Sequence, residues 1–314
     1  MAHGTKSAIV RHSGFHKWWM LLRPHTLVAS FVPVFLGTTV AMSYESFHFT
    51  RFFVMLISCF LIQTSANLFN EYYDYKKGQD DEHTVGNGGA IVRNGMKPGF
   101  ILFLAIFLYV LAILGGVYLC MDVNNWWIGL LGIISMLVGY LYTGGPYPIA
   151  YTPFGEIMAG FFMGGIITYI SFYIQAGFIS SFIVYVSIPV MVLVGNLLLA
   201  NSIRDLEPDK ANGRLTLAIL LGRKGALVLF TAAFIFAYAW EIALIFTVEA
   251  TPWILIILLS VPEAIKAVRR FIGKSVPITM VPAMKATSKA LTFFGLLLAI
   301  AFLISLLSAN MIDF

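Results

Sequence analysis

Charge is scarce in this chain. Asp, Glu, Lys and Arg make up 11% of its 314 residues, hydrophobic residues make up 59%, and mean hydropathy is +0.86. Soluble domains carry roughly 25% charged residues, so a water-soluble enzyme or binding module is excluded. Cysteine is nearly absent: Cys59 and Cys120 both fall in apolar stretches, which argues against a disulfide framework and against a working thiol. The six histidines show no ligand spacing, which removes zinc and iron from consideration. Residues 1–20 are mixed polar and basic, without a short apolar core and a small-residue cleavage site. They read as a cytoplasmic N-terminal segment and not as a removed signal peptide.

What the chain has instead is a series of apolar runs. Nine segments of about 20 residues suit a membrane crossing: 25–43, 51–74, 98–120, 125–142, 154–176, 181–203, 224–247, 251–267 and 287–309. The eighth is the weakest, because Glu263, Lys266, Arg269 and Arg270 crowd its end. With the N-terminus inside, Arg51 is alone among the 20 basic residues in facing outward. The positive-inside rule therefore puts the N-terminus in the cytoplasm and the C-terminus outside. The net charge of +5 reflects this topology, and nucleic acid is not an expected partner. The fold class expected is a single all-α polytopic membrane domain, residues 1–314, set in a lipid bilayer.

Two polar motifs interrupt the apolar pattern, each where a span ends on the cytoplasmic side. The first is Asn70-Glu71-Tyr72-Tyr73-Asp74 with Asp80 close behind; the second is Asn201-Ser202-Ile203-Arg204-Asp205 with Asp209 four residues on. Carboxylates in or beside a membrane are costly and by default mark a functional site. Gln63, Asn67, Asn70 and Asp74 follow helical spacing and form one polar stripe, which must face the bundle interior or a cavity. For Gln63 and Asn67, interhelical hydrogen bonding is an alternative role. Asn201, Asp205 and Asp209 recur every four residues and project from one side of a helix end, with Pro208 placed to distort the last turn. In the first motif Gly78 breaks the helix, so Asp80 is expected to approach from a loop. Hard oxygen donors of this kind suit Mg²⁺, which binds through one or two carboxylates together with substrate phosphates.

The surroundings suit a diphosphate. Gly86-Asn87-Gly88-Gly89 with Arg93 can expose backbone N–H groups to phosphate, although such a loop is also an ordinary turn. Lys210 and Arg214 follow the second motif and can neutralise leaving-group charge, or else serve as topology determinants. Arg23 stands before Pro24 at the mouth of the first span. A diphosphate in an apolar cavity suggests a lipid diphosphate, whose ionisation leaves an allyl cation that aromatic faces can stabilise. Of Tyr72, Tyr73, Tyr75, Tyr142 and Tyr147, most are expected to be interfacial-belt residues; one or two should line the cavity, with Tyr142 the first choice.

These motifs resemble the UbiA superfamily of membrane prenyltransferases, and within it the branch that prenylates 1,4-dihydroxy-2-naphthoate. The resemblance rests on Arg23-Pro24-His25-Thr26-Leu27, on Asn67 to Asp74 with Lys77-Gly78, and on Gly88-Gly89-Ala90-Ile91-Val92-Arg93. It continues through Tyr142-Thr143-Gly144-Gly145-Pro146 with Gly155-Glu156, and through Asn201 to Thr216. One departure stands out: the superfamily's second carboxylate falls four residues after Asp74, where this chain has Gly78. Asp80 is the nearest substitute, with Asp81 behind it.

The resemblance implies nine helices around a central cavity open to the cytoplasm. It implies Mg²⁺ held by Asn70, Asp74, Asp80, Asn201, Asp205 and Asp209, with Asp74, Asp205 and Asp209 essential to catalysis. Arg93, Lys210 and Arg214 would meet the diphosphate of an all-trans polyprenyl donor, and Arg23 and Tyr142 the acceptor. The reaction implied is an electrophilic aromatic substitution at the ring carbon bearing the carboxylate, with loss of CO₂ and a proton. It yields demethylmenaquinol on the route to menaquinone. Within the superfamily the alternative acceptors are 4-hydroxybenzoate and homogentisate. An ion-coupled transporter is the alternative from another class, but its acids should lie at mid-membrane in several helices.

Overall fold

A computed structural model describes residues 18, 21–79, 89–247 and 250–312, with side chains through Ser308. Among these residues the regular structure is entirely helical. The chain runs through α1 (Val28–Met42), α2 (Phe49–Lys76), α3 (Pro98–Val123), α4 (Trp127–Leu141) and α5 (Gly155–Ala176). It continues through α6 (Ser181–Arg204), the short α7 (Leu206–Ala211), α8 (Leu217–Thr247), α9 (Val261–Phe271) and α10 (Pro277–Ile312).

Each expected apolar segment coincides with a helical one, with differences at the ends. Among the described residues six helices are long and apolar enough to cross a membrane: α2, α3, α5, α6, α8 and the Pro277–Ser308 stretch of α10. Helices α1 and α4 are shorter, at 15 residues each. The seventh segment starts earlier than expected, at Leu217, and bends at Gly222, whose φ of 66° no L-residue adopts easily. The eighth divides into a 3₁₀ stretch, Pro252–Ser260, and the charged α9. The ninth begins at Pro277, ten residues before the expected start.

Helix α6 is the centre of the bundle. In its most apolar stretch 56% of residues are buried, against 17% in α3. Phe103, Phe107 and Leu114 of α3 therefore point outward, as do Val228 and Phe246 of α8. An apolar exterior on this scale would aggregate in water; against lipid it is the expected surface. The main core joins α1, α6, α8 and α10 through residues such as Leu36, Leu193, Phe230 and Phe294.

Close approach between α5 and α6 depends on glycine. A Cβ on Gly160 would lie 2.5 Å from the Met191 carbonyl oxygen, and one on Gly164 2.5 Å from the Met191 Cα. These contacts fit the close-packing role of small residues in membrane helices. Between them α5 winds as a π-helix, Gly160–Ile166. Gly164→Ala should therefore destabilise the protein by about 1–3 kcal/mol through overpacking, whereas Gly99→Ala, with open space around it, should not. Thermal unfolding in detergent measures both, and equal melting temperatures would show that α5 and α6 separate freely.

The ends of α2 and α6 shape the polar end of the bundle. Gly78, at φ 68°, stops α2 just after Lys77, and the Gln79 N–H closes back on the Asp74 carbonyl at 2.9 Å. Helix α6 breaks at Asp205 and restarts as α7, so the second motif spans a joint rather than one continuous helix end. The four-residue spacing survives the break, because the Asp205 N–H donates to Asn201 O (2.9 Å) and the Asp209 N–H to Asp205 O (2.8 Å).

Candidate active site

A cavity of about 950 Å³ opens between α2, α3, α4, α5 and α6, at the upper end of the ~300–1,000 Å³ usual for ligand sites. Its head is polar, lined by Asn70, Asp74, Asn201, Asp205 and Asp209. Its body is apolar, lined by Met55, Ala112, Ile133, Met136, Phe162 and Ile166. From Asp74 back to Met55 the wall follows α2 for about 28 Å, at the helical rise of ~1.5 Å per residue. Helix α4 closes one side loosely, with only Ile128 and Met136 buried. The stripe expected on α2 is present: Gln63, Asn67, Asn70 and Asp74 all face this space. Asn67 also donates to Leu22 O and Thr26 Oγ1, both at 3.1 Å, and so pins the approach to α1.

Arg214 joins the two acidic motifs. Its Nη2 donates to Asp74 Oδ1 at 3.0 Å and its Nη1 to Asp209 Oδ1 at 3.1 Å. Nη2 also reaches Gln79 Oε1, and the guanidinium lies 4.8 Å over the ring of Tyr151. Burial pushes the Asp209 carboxyl up to about 6; Arg214 opposes that shift, while Asp205 and Asp74 add to it. Burial disfavours charge on Arg214, but Asp74 and Asp209 outweigh it and hold its pKa above the ordinary value. Lys77 is shifted downward, by burial first and by Arg214 second, against the pull of Asp74. Asp205 is held by its neighbour: Arg204 Nε donates to Asp205 Oδ1 at 2.7 Å, and Nη2 completes the pair.

The remaining expected residues separate into two groups. Arg23 and Tyr142 line the cavity, and Tyr142 is the one tyrosine of the five considered that does so. Arg93 and Lys210 do not line it: Lys210 is exposed on α7, and the Arg93 side chain lies against Gly89. Asp80, Asp81 and Gly86-Asn87-Gly88 lie outside the described residues. The Gly89 N–H is already engaged, by the buried Glu71 carboxylate at 2.9 and 3.1 Å, which also accepts from Ile91 N at 3.0 Å. Arg23 Nη2 stands 3.8 Å from the same carboxylate, with Arg23 itself at a positive φ of 50°. Sequence reasoning missed Gln79, Tyr151 and the anchoring role of Glu71. The Glu71 role had a weak signal: it directly follows Asn70, about 100° round the helix from it.

The donors at the cavity head fit a hard divalent cation. They are all oxygens, they come from α2, α6 and α7 facing one space, and a guanidinium already bridges two of them as a stand-in positive charge. Among the described residues no three acidic, His or Cys side chains converge closely enough to enclose an ion in this arrangement. Arg214 occupies the middle.

The site is thus an apolar cavity with a carboxylate-rich head, carried by a multi-pass helical protein. This chain belongs to the UbiA prenyltransferase family, whose model matches residues 30–275. It is 53% identical to the 1,4-dihydroxy-2-naphthoate octaprenyltransferase of Bacillus subtilis (strain 168), over 91% of this chain and 92% of that one. It is 27% identical to the Escherichia coli (strain K12) protein of the same name, over 92% and 95%. Among solved structures, a UbiA homolog from Archaeoglobus fulgidus bound to GPP and Mg²⁺ superposes with a TM-score of 0.64. That likeness has 14% identity and covers 90% of this chain and 99% of the homolog.

Proposed function

We propose that this protein transfers an all-trans polyprenyl group from polyprenyl diphosphate to 1,4-dihydroxy-2-naphthoate, with decarboxylation, to give demethylmenaquinol. The observation that carries the site assignment is the meeting of both acidic motifs, through Arg214, at the head of an apolar cavity. The acceptor is that of the Bacillus subtilis relative at 53% identity.

In this reading Asn70, Asp74, Asn201, Asp205 and Asp209, with Asp80 close behind the first motif in sequence, would hold Mg²⁺. The ion, when bound, supplies Lewis-acid neutralisation of the diphosphate. Arg214 is the cation of this chain best placed to meet the leaving diphosphate, since it already lies among the acids. The apolar body takes the isoprenoid tail and excludes water from the allyl cation. Tyr142 presents a ring face to that cation, and Arg23, steadied by Glu71, meets the acceptor carboxylate. The allylic C–O bond breaks with its electron pair going to diphosphate. The ring carbon bearing the carboxylate then bonds the allylic carbon, and that carboxylate leaves as CO₂. Purified protein with labelled prenyl diphosphate should convert 1,4-dihydroxy-2-naphthoate in preference to 4-hydroxybenzoate or homogentisate. Preference for either of those would reassign the acceptor within the family.

The orientation belongs to the same reading: nine passes, with the N-terminus and cavity head cytoplasmic and the C-terminus outside. The distribution of basic residues supports it, as does Arg51 pairing with Asp122 (2.6 Å) at the connections read as external. Reporter fusions at Ala211 should read cytoplasmic and at Asn124 external. An external reading at Ala211 would overturn the placement.

A further inference from the structure

Helices α5 and α6 meet at backbone distance, and their contact brings a carboxylate to the cavity wall from behind. A Cβ on Gly195 of α6 would stand 2.9 Å from the Glu156 carbonyl oxygen. This closeness lets the buried Glu156, in the first turn of α5, reach across to Ser202 of α6, whose Oγ donates to Glu156 Oε1 at 2.7 Å. Ser202 lines the cavity one residue after Asn201. Tyr142 lines it beside them, its hydroxyl 3.3 Å from where a Cβ on Gly155 would stand. No cation pairs with Glu156 among the described residues. A carboxylate inside a membrane bundle, uncompensated by a cation and touching one cavity-facing hydroxyl, is expensive as mere glue. A serine hydroxyl can accept one hydrogen bond while donating another, so Ser202 can connect a ligand in the cavity to Glu156.

We propose that Ser202 and Glu156 form the proton path for the acceptor's 1-hydroxyl, Ser202 touching the substrate and Glu156 acting through it. This rests on the prenyl transfer proposed above. The acceptor O–H bond breaks as its proton passes to Ser202 Oγ, while the proton of Ser202 passes to Glu156. The electron pair left on the ring oxygen raises the nucleophilicity of the adjacent carbon, which bonds the allylic carbon as diphosphate leaves. Loss of the carboxylate as CO₂ returns its bonding pair to the ring and leaves the oxygen anionic. Glu156 then returns the proton through Ser202 to that oxygen, giving the hydroquinone. No outside acid, base or oxidant is required, and Glu156 ends as it began.

The test compares Glu156→Gln, Glu156→Asp and Ser202→Ala in the purified full-length protein with labelled prenyl diphosphate. Glu156→Gln keeps an acceptor for the Ser202 hydrogen bond but not a proton acceptor. It should lower kcat with 1,4-dihydroxy-2-naphthoate by about 10²-fold and leave KM for the donor unchanged. Glu156→Asp should recover part of the rate, and Ser202→Ala should repeat the selective loss in kcat. The 1-methoxy analogue of the acceptor has no proton to give, so wild type should use it slowly and Glu156→Gln no more slowly. Wild-type kcat in Glu156→Gln or Ser202→Ala would overturn the proposal. So would equal slowing on the natural and methoxy acceptors, which is the mark of a structural role. If wild type instead prefers another phenol, the acceptor assignment fails, and the same comparison on that phenol still decides the proton path.

Discussion

Asp74→Ala and Asp205→Ala are each expected to reduce prenyl transfer by about 10³-fold or more, while expression and elution in detergent stay near normal. Asp74 lies on α2 and Asp205 at the joint after α6, and both face the head of one cavity. In the proposed mechanism each helps to hold the ions that neutralise the diphosphate, so losing either dismantles a shared unit. The double variant should therefore cost little beyond either single one. Turnover of labelled donor measures this, and the same assay in excess EDTA should show no activity. Full activity in EDTA, or two single effects that multiply in the double variant, would refute a shared metal-dependent unit.

Arg214→Gln is expected to separate two quantities that usually move together. The guanidinium bridges Asp74 and Asp209 at 3.0 and 3.1 Å, at the place the proposed ion would take. On the proposed reading an incoming divalent cation would have to displace it. Removing it leaves the buried Asp209 and the half-buried Asp74 without their bridging cation, so Mn²⁺, read by its paramagnetic signal without diphosphate, should bind about 10-fold more tightly. The leaving diphosphate would meanwhile lose the cation proposed to meet it, so KM for the prenyl donor should rise and kcat should fall by about 10²-fold, as for the loss of an electrostatic donor. Arg214→Lys should rescue little, because a single ammonium cannot fork between two carboxylates. Mn²⁺ binding unchanged or weaker in Arg214→Gln would show that Arg214 does not compete with the ion.

Much of this protein is readable along the chain because membrane helices are governed by local rules. A backbone in lipid must satisfy its own hydrogen bonds, so each long apolar run becomes a helix near its own boundaries, as α2, α3, α5 and α6 do. Helical period then places Gln63, Asn67, Asn70 and Asp74 on one face, and that face does line the cavity. Gly78 ends α2 where the lack of a Cβ permits a positive φ. The two acidic motifs at helix ends were legible by the same means, and Tyr142, preferred among the tyrosines at span ends, does line the cavity.

Partner choice across helices was not. Spacing made Arg93, Lys210 and Arg214 equivalent as cations near the acids; the tertiary structure brings in Arg214, stacks it on Tyr151 and leaves the other two outside the cavity wall. Asp205 stands at a break between two helices, not on one continuous turn, because the chain bends there while its hydrogen bonds run on. Glu71 turns from the cavity to hold Gly89 and Ile91, and Glu156 reaches Ser202 because glycines let α5 and α6 approach. Local periodicity depends on neighbours three and four residues away. These pairings depend on how closely distant helices pack and how each is rotated, and only the assembled bundle sets both.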